Sequence, residues 1–297
     1  MPTKTTDLAV ATAPEYVALS LDTSELTESL AESLGSEGFG PNDFDTLTVP
    51  NATAAPVWNL PDSDESPKQL KGIIIFHQPV QTLWLKPLNE GNSNMPPDCV
   101  GRKDQRTGEL VGSQNRQWVY ENFKNSPYVQ RPEGLVNEFP SPVSSMQKQL
   151  CETCPFSQWK TAQKGGGQFC TAKRDIYMLL PDRPFPVLVK VPPTSLISAR
   201  KYFLSLSKSL LGPSNVETIL TLQKENATPP YYKIVFTKGP QVDRENAARA
   251  KAYGAAIKPF IEKAAVTATQ TAAKKSGPAV STFDDFDDED EEMDLED

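Results

Sequence analysis

Four cysteines carry the most specific chemistry in this chain of 297 residues: Cys99, Cys151, Cys154 and Cys170. Cys151-Glu152-Thr153-Cys154 is a C-x-x-C knuckle, Gly165-Gly166-Gly167 stands between it and Cys170, and Cys99 follows Pro96-Pro97-Asp98. Two cysteines separated by two residues direct both sulfurs at one ion. A second pair from elsewhere then completes the tetrahedron of a structural zinc site, Zn2+ held by four thiolates. Here the second pair, Cys99 and Cys170, comes from two separate segments instead of a second compact knuckle. A disulfide, a redox C-x-x-C and unlinked core cysteines are the competing readings. The redox reading lacks the βαβ surroundings it needs.

Other catalytic chemistry finds little support. His77 is the only histidine, which removes His-rich metal catalysis and leaves no basis for a Ser-His-Asp triad. It lies in a strand-like run and reads as a packed or surface residue. No Walker loop, G-x-S-x-G or H-E-x-x-H occurs. Gly165-Gly166-Gly167 has no preceding strand or following helix and is a loop, not a phosphate cradle. A nuclease would need Asp98, Asp104 and Glu109 forced into one cluster.

Charge points to a polyanionic partner. Residues 1–66 hold twelve acids and one base, Lys4, while 283–297 hold eleven acids and no base. Of the 30 Lys plus Arg and 38 Asp plus Glu, the middle keeps 29 and 15, a net +14 between acidic ends. A basic body favours nucleic acid, and the ends either compete with it or keep the chain soluble. A single strand is gripped by cations on phosphates and aromatic rings on bases. The candidates are Lys71, Trp84, Lys86, Arg102, Lys103, Arg106, Arg116, Trp118, Tyr120, Lys124, Tyr128, Trp159, Lys160, Lys164, Lys173 and Arg174. Trp118, Tyr120 and Trp159 fit stacking and packing equally, Phe156 and Phe169 fit a small core around the metal better, and Arg200, Lys201 and Lys208 read as a solvated helix face. In the tail, Phe283, Phe286 and Leu295 stand among carboxylates as anchors for a partner, since solubility alone needs no phenylalanine.

The elements that position these residues follow from periodicity. Residues 1–37 read as a flexible acidic arm with a short helix over Ser24–Leu34. Residues 38–68 form an extended segment docking on the body through Phe39, Phe44, Val57 and Trp58. The body, 69–265, opens with a strand at Lys71–Phe76, which Gln81–Leu85 continues or pairs with. Residues 87–174 are the metal-dependent insertion. Strands follow at Asp175–Leu180 and Pro186–Val191, joined by a turn, then a helix capped at Thr194 or Ser195 and running to about Leu211. Val216–Gln223 and Tyr231–Thr237 are the last strands, and Asp243 caps a helix to about 265. Residues 266–297 are a flexible linker and the acidic tail. This order predicts an α+β fold, mainly β, an OB-like small barrel with an inserted zinc loop built on the four cysteines; an α+β sheet with one covering helix fits nearly as well.

In this arrangement the body 69–265, the four cysteines and Phe283-Asp284-Asp285-Phe286 with its acid run resemble the single-stranded DNA-binding proteins of bacteriophages and mobile elements. The resemblance is architectural. It departs at the terminus Asp294-Leu295-Glu296-Asp297, which is not apolar, and in a ligand set without histidine. It implies sequence-independent binding of single-stranded DNA in replication or recombination, with no enzymatic activity and with replication or recombination proteins recruited through the tail. A cytoplasmic setting, in a phage- or mobile-element-infected bacterial cell, goes with it. No signal peptide or membrane span is expected. The alternatives are a zinc-ribbon adaptor acting through protein contacts, a metal-dependent nuclease, and an acidic chaperone-like protein.

Overall fold

The computed structural model describes residues 16–35, 39, 43–61, 63, 66–86, 97–104, 106–132, 147–162 and 166–275, with the side chains of 263–275 excepted. It is an α+β fold around a large open sheet.

Strand β2 (Gln69–Leu83) organises the body. Its run Ile73-Ile74-Ile75-Phe76 is β-branched and aromatic, the composition that fills a pleated, buried surface. Of the two readings of the run after 71–76, continuation holds: both stretches lie in this one strand. Pro79 does not break it, because it lies between the stretches paired with β8 and β3, where a missing N–H is tolerated. One edge of β2 pairs antiparallel with β6 (Thr171–Leu179), and β6 pairs with β7 (Val187–Val191). The other edge pairs with β8 (Val216–Glu225) at residues 69–72 and with β3 (Cys99–Lys103) at 81–83. The sheet continues through β4 (Leu110–Asn115) to β5 (Lys148–Leu150), while β8 carries β9 (Tyr231–Gln241).

The sheet does not close. A barrel would need β9 on the free edge of β7, and that edge is taken by a short parallel strand, β1 (Thr46–Leu47), with Thr46 opposite Leu188 and Leu47 opposite Val189. The segment expected to dock on the body therefore does so by strand addition. Trp58 is fully buried, and its indole N–H donates to the Leu220 carbonyl at 3.2 Å.

A register shift between Ile74 and Phe76 resets the alternation of β2. The inner face carries Ile74, Ile176, Met178, Val187, Val189 and Val191, packed with Trp58 and helix α3 (Leu196–Lys208) through Ala199, Tyr202 and Leu206. The outer face carries Ile73, Tyr177, Leu179 and Leu188 against α1 (Thr23–Leu34) and the long helix α4 (Arg244–Lys275). Two expectations shift here. Ser195 stands at the N-cap of α3 but makes no side-chain capping bond: its hydroxyl accepts the Ile234 N–H at 2.8 Å and ties the helix start to β9. The last helix runs past 265 into the expected linker; residues 264–275 hold five Ala and two Lys, strong helix formers, against three Thr and one Val. No helix among the described residues is long and apolar enough to cross a membrane.

On the inner face His77 lies tilted against Phe203, centroids 4.2 Å apart, and its Nδ1 accepts from Arg174 Nη1 at 2.9 Å. Burial, then the Arg174 charge, lowers its pKa to about 4. Between the unfolded value of about 6.5 and the folded value the unfolded chain binds the extra proton. Stability contributed by neutral His77 is thus complete above that window and lost as pH falls through it, at most ~3 kcal/mol. Urea midpoints of the parent and His77→Gln are expected to converge as pH falls from 7 to 4.5. A constant gap between them would show that His77 is not held neutral.

Candidate functional site

The four cysteines come from three chain segments, and β-register brings Cys99 and Cys170 to one face. Gln81 faces Gly101, Leu83 faces Cys99, and Thr82 faces Thr171, the residue after Cys170. Residues paired across strands share a face, so Cys99 and Cys170 flank Leu83 on the inner side, with Gly101 and Gln81 beside them. Cys151 follows β5, and its N–H donates to the Leu110 carbonyl at 2.8 Å. The knuckle closes with Cys154 N–H on the Cys151 carbonyl at 3.3 Å, Ser157 N–H on the Cys154 carbonyl at 3.0 Å, and Cys170 N–H on the Phe156 carbonyl at 2.8 Å.

Two paired glycines make room for this. Gly101 lies opposite Gly112. A Cβ on Gly101 would meet the Cys151 sulfur at 2.4 Å, and one on Gly112 would meet the Cys99 sulfur at 3.2 Å. Gln81 Oε1 accepts from the Ser157 hydroxyl at 2.8 Å and faces the Cys170 sulfur at 3.8 Å. All four thiols are free. Burial pushes the Cys151 and Cys154 thiols up to about 12 and Cys170 up further, and each is also raised by the sulfurs around it. The sulfurs therefore feel one another. Among the described residues, however, no group of three or more His, Cys, Asp or Glu side chains is placed to hold a metal ion as it stands. The donor chemistry fits zinc, since soft thiolates on a C-x-x-C knuckle are its preferred set.

Around the thiols the insertion has its own small core of Leu83, Val119, Phe123, Val129, Cys154, Phe156 and Cys170. Phe123 meets Phe156 edge-on at 5.2 Å, so Phe156 is packing, and Phe169 packs against the same cluster. Helix α2 (Arg116–Asn125) supplies part of this core through Val119 and Phe123; Asn115 caps it by accepting the Trp118 N–H at 2.8 Å. The aromatic, basic stretch 116–125 is thus a helix, and Asn115 was the available start signal. Trp118 joins the core in part, whereas Arg116, Tyr120 and Lys124 follow one another at four-residue spacing on a more exposed side. Trp159 is 70% exposed beside exposed Lys160.

Strand alternation separates other candidates. Lys173 lies on the outer face and Arg174 on the inner, where it sits 5.4 Å from the Phe203 ring. On the outer face Arg102, Asp175, Lys173 and Lys190 gather: Asp175 faces Lys190 across the ladder, and Arg102 Nη1 stands 3.8 Å from Asp175 Oδ2. Burial pushes Asp175 up against the pull of Arg102, Lys190 and Lys173, and burial with Lys190 holds Lys173 down. Gln78 Nε2, Thr82 Oγ1 and Arg102 Nε are buried here without a hydrogen-bond partner among the described residues. Sequence reading passed over Lys190 and Gln78. Lys190 is the one charge in Val187-Leu188-Val189-Lys190-Val191, which was a usable signal; nothing marked Gln78 before the register was known.

The remaining candidates scatter. Trp84 and Lys86 follow β2 beside the insertion, while Lys71 lies at the far end of β2, roughly 35 Å from Thr82 by strand rise. Lys103 and Arg106 flank the β3–β4 turn, and Tyr128 is half-buried. Asp98 accepts the Leu85 N–H and Asp104 accepts the Arg106 and Thr107 N–H groups, so both carboxylates serve the backbone. Lys164, Phe283, Phe286 and Leu295 lie outside the described residues. In comparisons with known proteins, no family model, no curated protein and no solved structure matches the chain.

Proposed function

We propose that this protein binds single-stranded DNA without sequence preference, in replication or recombination, and that a structural zinc on Cys99, Cys151, Cys154 and Cys170 holds the insertion against the sheet. The observation that carries the reading is Trp159, 70% exposed on the cysteine knuckle beside Lys160. An indole left in water at a rigidly held loop is a platform for a base, and stacking tolerates any sequence. Arg116 and Lys124 stand exposed on the same small core as cations for the backbone. The half-buried outer-face cations Arg102, Lys173 and Lys190 suit phosphate oxygens, which accept without donating.

Strand order supports reading the body as an opened barrel of the OB type. Three strands in sequence order, β2, β6 and β7, pair in turn. A helix follows, then β8 and β9 pair, with β8 returning to β2. On that reading the insertion occupies the connection between the first two strands, one of the two loops with which OB folds hold oligonucleotides.

The test is fluorescence titration with a dT oligonucleotide and the matching duplex at two salt concentrations. Quenching by the single strand, weak response to duplex and loss at high salt are expected. Trp159→Ala is expected to weaken single-strand binding by about 5- to 150-fold, the equivalent of 1–3 kcal/mol per stacked base. Equal binding of duplex, or unchanged affinity in Trp159→Ala, would remove the stacking platform. Salt-insensitive, weak binding would favour an adaptor that works through protein contacts.

A further inference from the structure

The outer side of α3 carries a row of side chains that the fold does not use. Ile197 is 70% exposed and Leu204 53%. Exposed Lys201 and Lys208 fall between and beyond them, and at 100° per residue the four lie within about 60° of one another, along ~16 Å of helix. Arg200 flanks the row. Leu210, 95% exposed, lies just past the helix end at φ +56. No acidic residue occurs from Pro192 to Val216, and none of the three cations makes an ion pair among the described residues. The packed side of the helix is satisfied by Ala199, Tyr202 and Leu206 in the inner core. The row is therefore an unpartnered surface in which aliphatic and cationic groups alternate. Aliphatic side chains offer no flat face to a base, so this row suits an apolar anchor set among carboxylates better than a nucleic acid.

The chain itself contains such a segment. Residues 283–297 hold eleven acids, with Phe283, Phe286 and Leu295 among them. We propose that this acidic segment docks on the outer side of α3. Its phenylalanines cover Ile197 and Leu204, and its carboxylates pair with Arg200, Lys201 and Lys208. The proposal goes beyond DNA binding and does not depend on it. The dock lies on the inner-face side of the sheet, while the basic outer-face cluster of Arg102, Lys173 and Lys190 lies on the other.

Zero-length carbodiimide cross-linking of the full chain at low ionic strength, read by peptide mass spectrometry, tests this. Cross-links from carboxylates within 284–297 are expected mainly at Lys201 and Lys208. Phe283→Ala with Phe286→Ala, and separately Leu204→Ser, are expected to cut that yield by about fivefold or more, as for loss of a buried apolar anchor. Cross-links confined to Lys173, Lys190, Lys124 or Lys160, cross-links spread evenly over all lysines, or yields unchanged by these substitutions would each overturn the proposal. Oligonucleotide titration of the same variants keeps this result separate from the DNA reading, which stands or falls on Trp159.

Discussion

Trp58→Ala is expected to destabilise the protein by about 3–5 kcal/mol, the cost of emptying a large aromatic site in a packed core. Trp58 is fully buried among Leu70, Val216, Leu220 and Ile234, although its own segment, residues 48–61, contains no helix or strand. It pins that segment twice, by its indole N–H on Leu220 and by its backbone N–H on the Pro67 carbonyl at 2.9 Å. The effect reaches further than the cavity. Strand β1 is only two residues long and lies shortly before Trp58 in the chain. Losing the anchor should release β1 from β7 and expose residues 43–61 to protease under native conditions. Trp58→Phe, which keeps most of the volume but leaves the Leu220 carbonyl without the indole donor, is expected to cost about 1–3 kcal/mol. Urea denaturation with limited proteolysis reads both. A parent-like midpoint for Trp58→Ala would mean that the segment is not docked as described.

The second large effect concerns the thiols. Refolded with zinc, the chain is expected to hold one ion, and Cys154→Ser to lose it. Structural zinc in small domains contributes about 10–16 kcal/mol at neutral pH, enough to decide whether such a domain folds. The insertion has only the small core around Phe123 and Phe156 to hold it otherwise. Metal analysis of Cys154→Ser should show no retained zinc, and proteolysis should cut within 97–162 while the body from β6 to α4 resists. Gly101→Val is expected to give the same pattern with all four thiols intact, because a Cβ there meets the Cys151 sulfur at 2.4 Å. Stoichiometric zinc retained in Cys154→Ser, or a zinc-free parent with a protease-resistant insertion, would refute the four-thiolate site.

Local pattern made much of this fold legible. Strands β6 and β7 and the turn between them follow from apolar runs around Pro181-Asp182-Arg183-Pro184, α1 from Leu26, Leu30 and Leu34, and α3 from its apolar spacing. What stayed hidden depends on partners distant in sequence. The unity of β2 across Pro79 requires knowing that one edge there carries no strand. The open sheet requires knowing that Thr46–Leu47 takes the edge of β7, and two residues give no periodic signal. At the site, the cysteine types and spacing pointed to convergence, but nothing marked Gly101 and Gly112 until the register placed them beside the sulfurs. Lys173 and Arg174 are adjacent in sequence and part company only because a strand alternates.

The fifteen residues of β2 also make it the mechanical member of the molecule. The insertion grows from its far end, while its near end is held in the sheet with β8 and β9. The insertion joins the end of β2 to the start of β6, so a pull on it along the strands is shared by both and passes in shear to β8, which pairs with β2 at four positions, and to β7, which pairs with β6 at five. Ladder bonds loaded this way give together, whereas bonds opened from one end give one at a time. Tension on the insertion is thus carried into the whole sheet, and the knuckle stays aligned with the body while the load lasts.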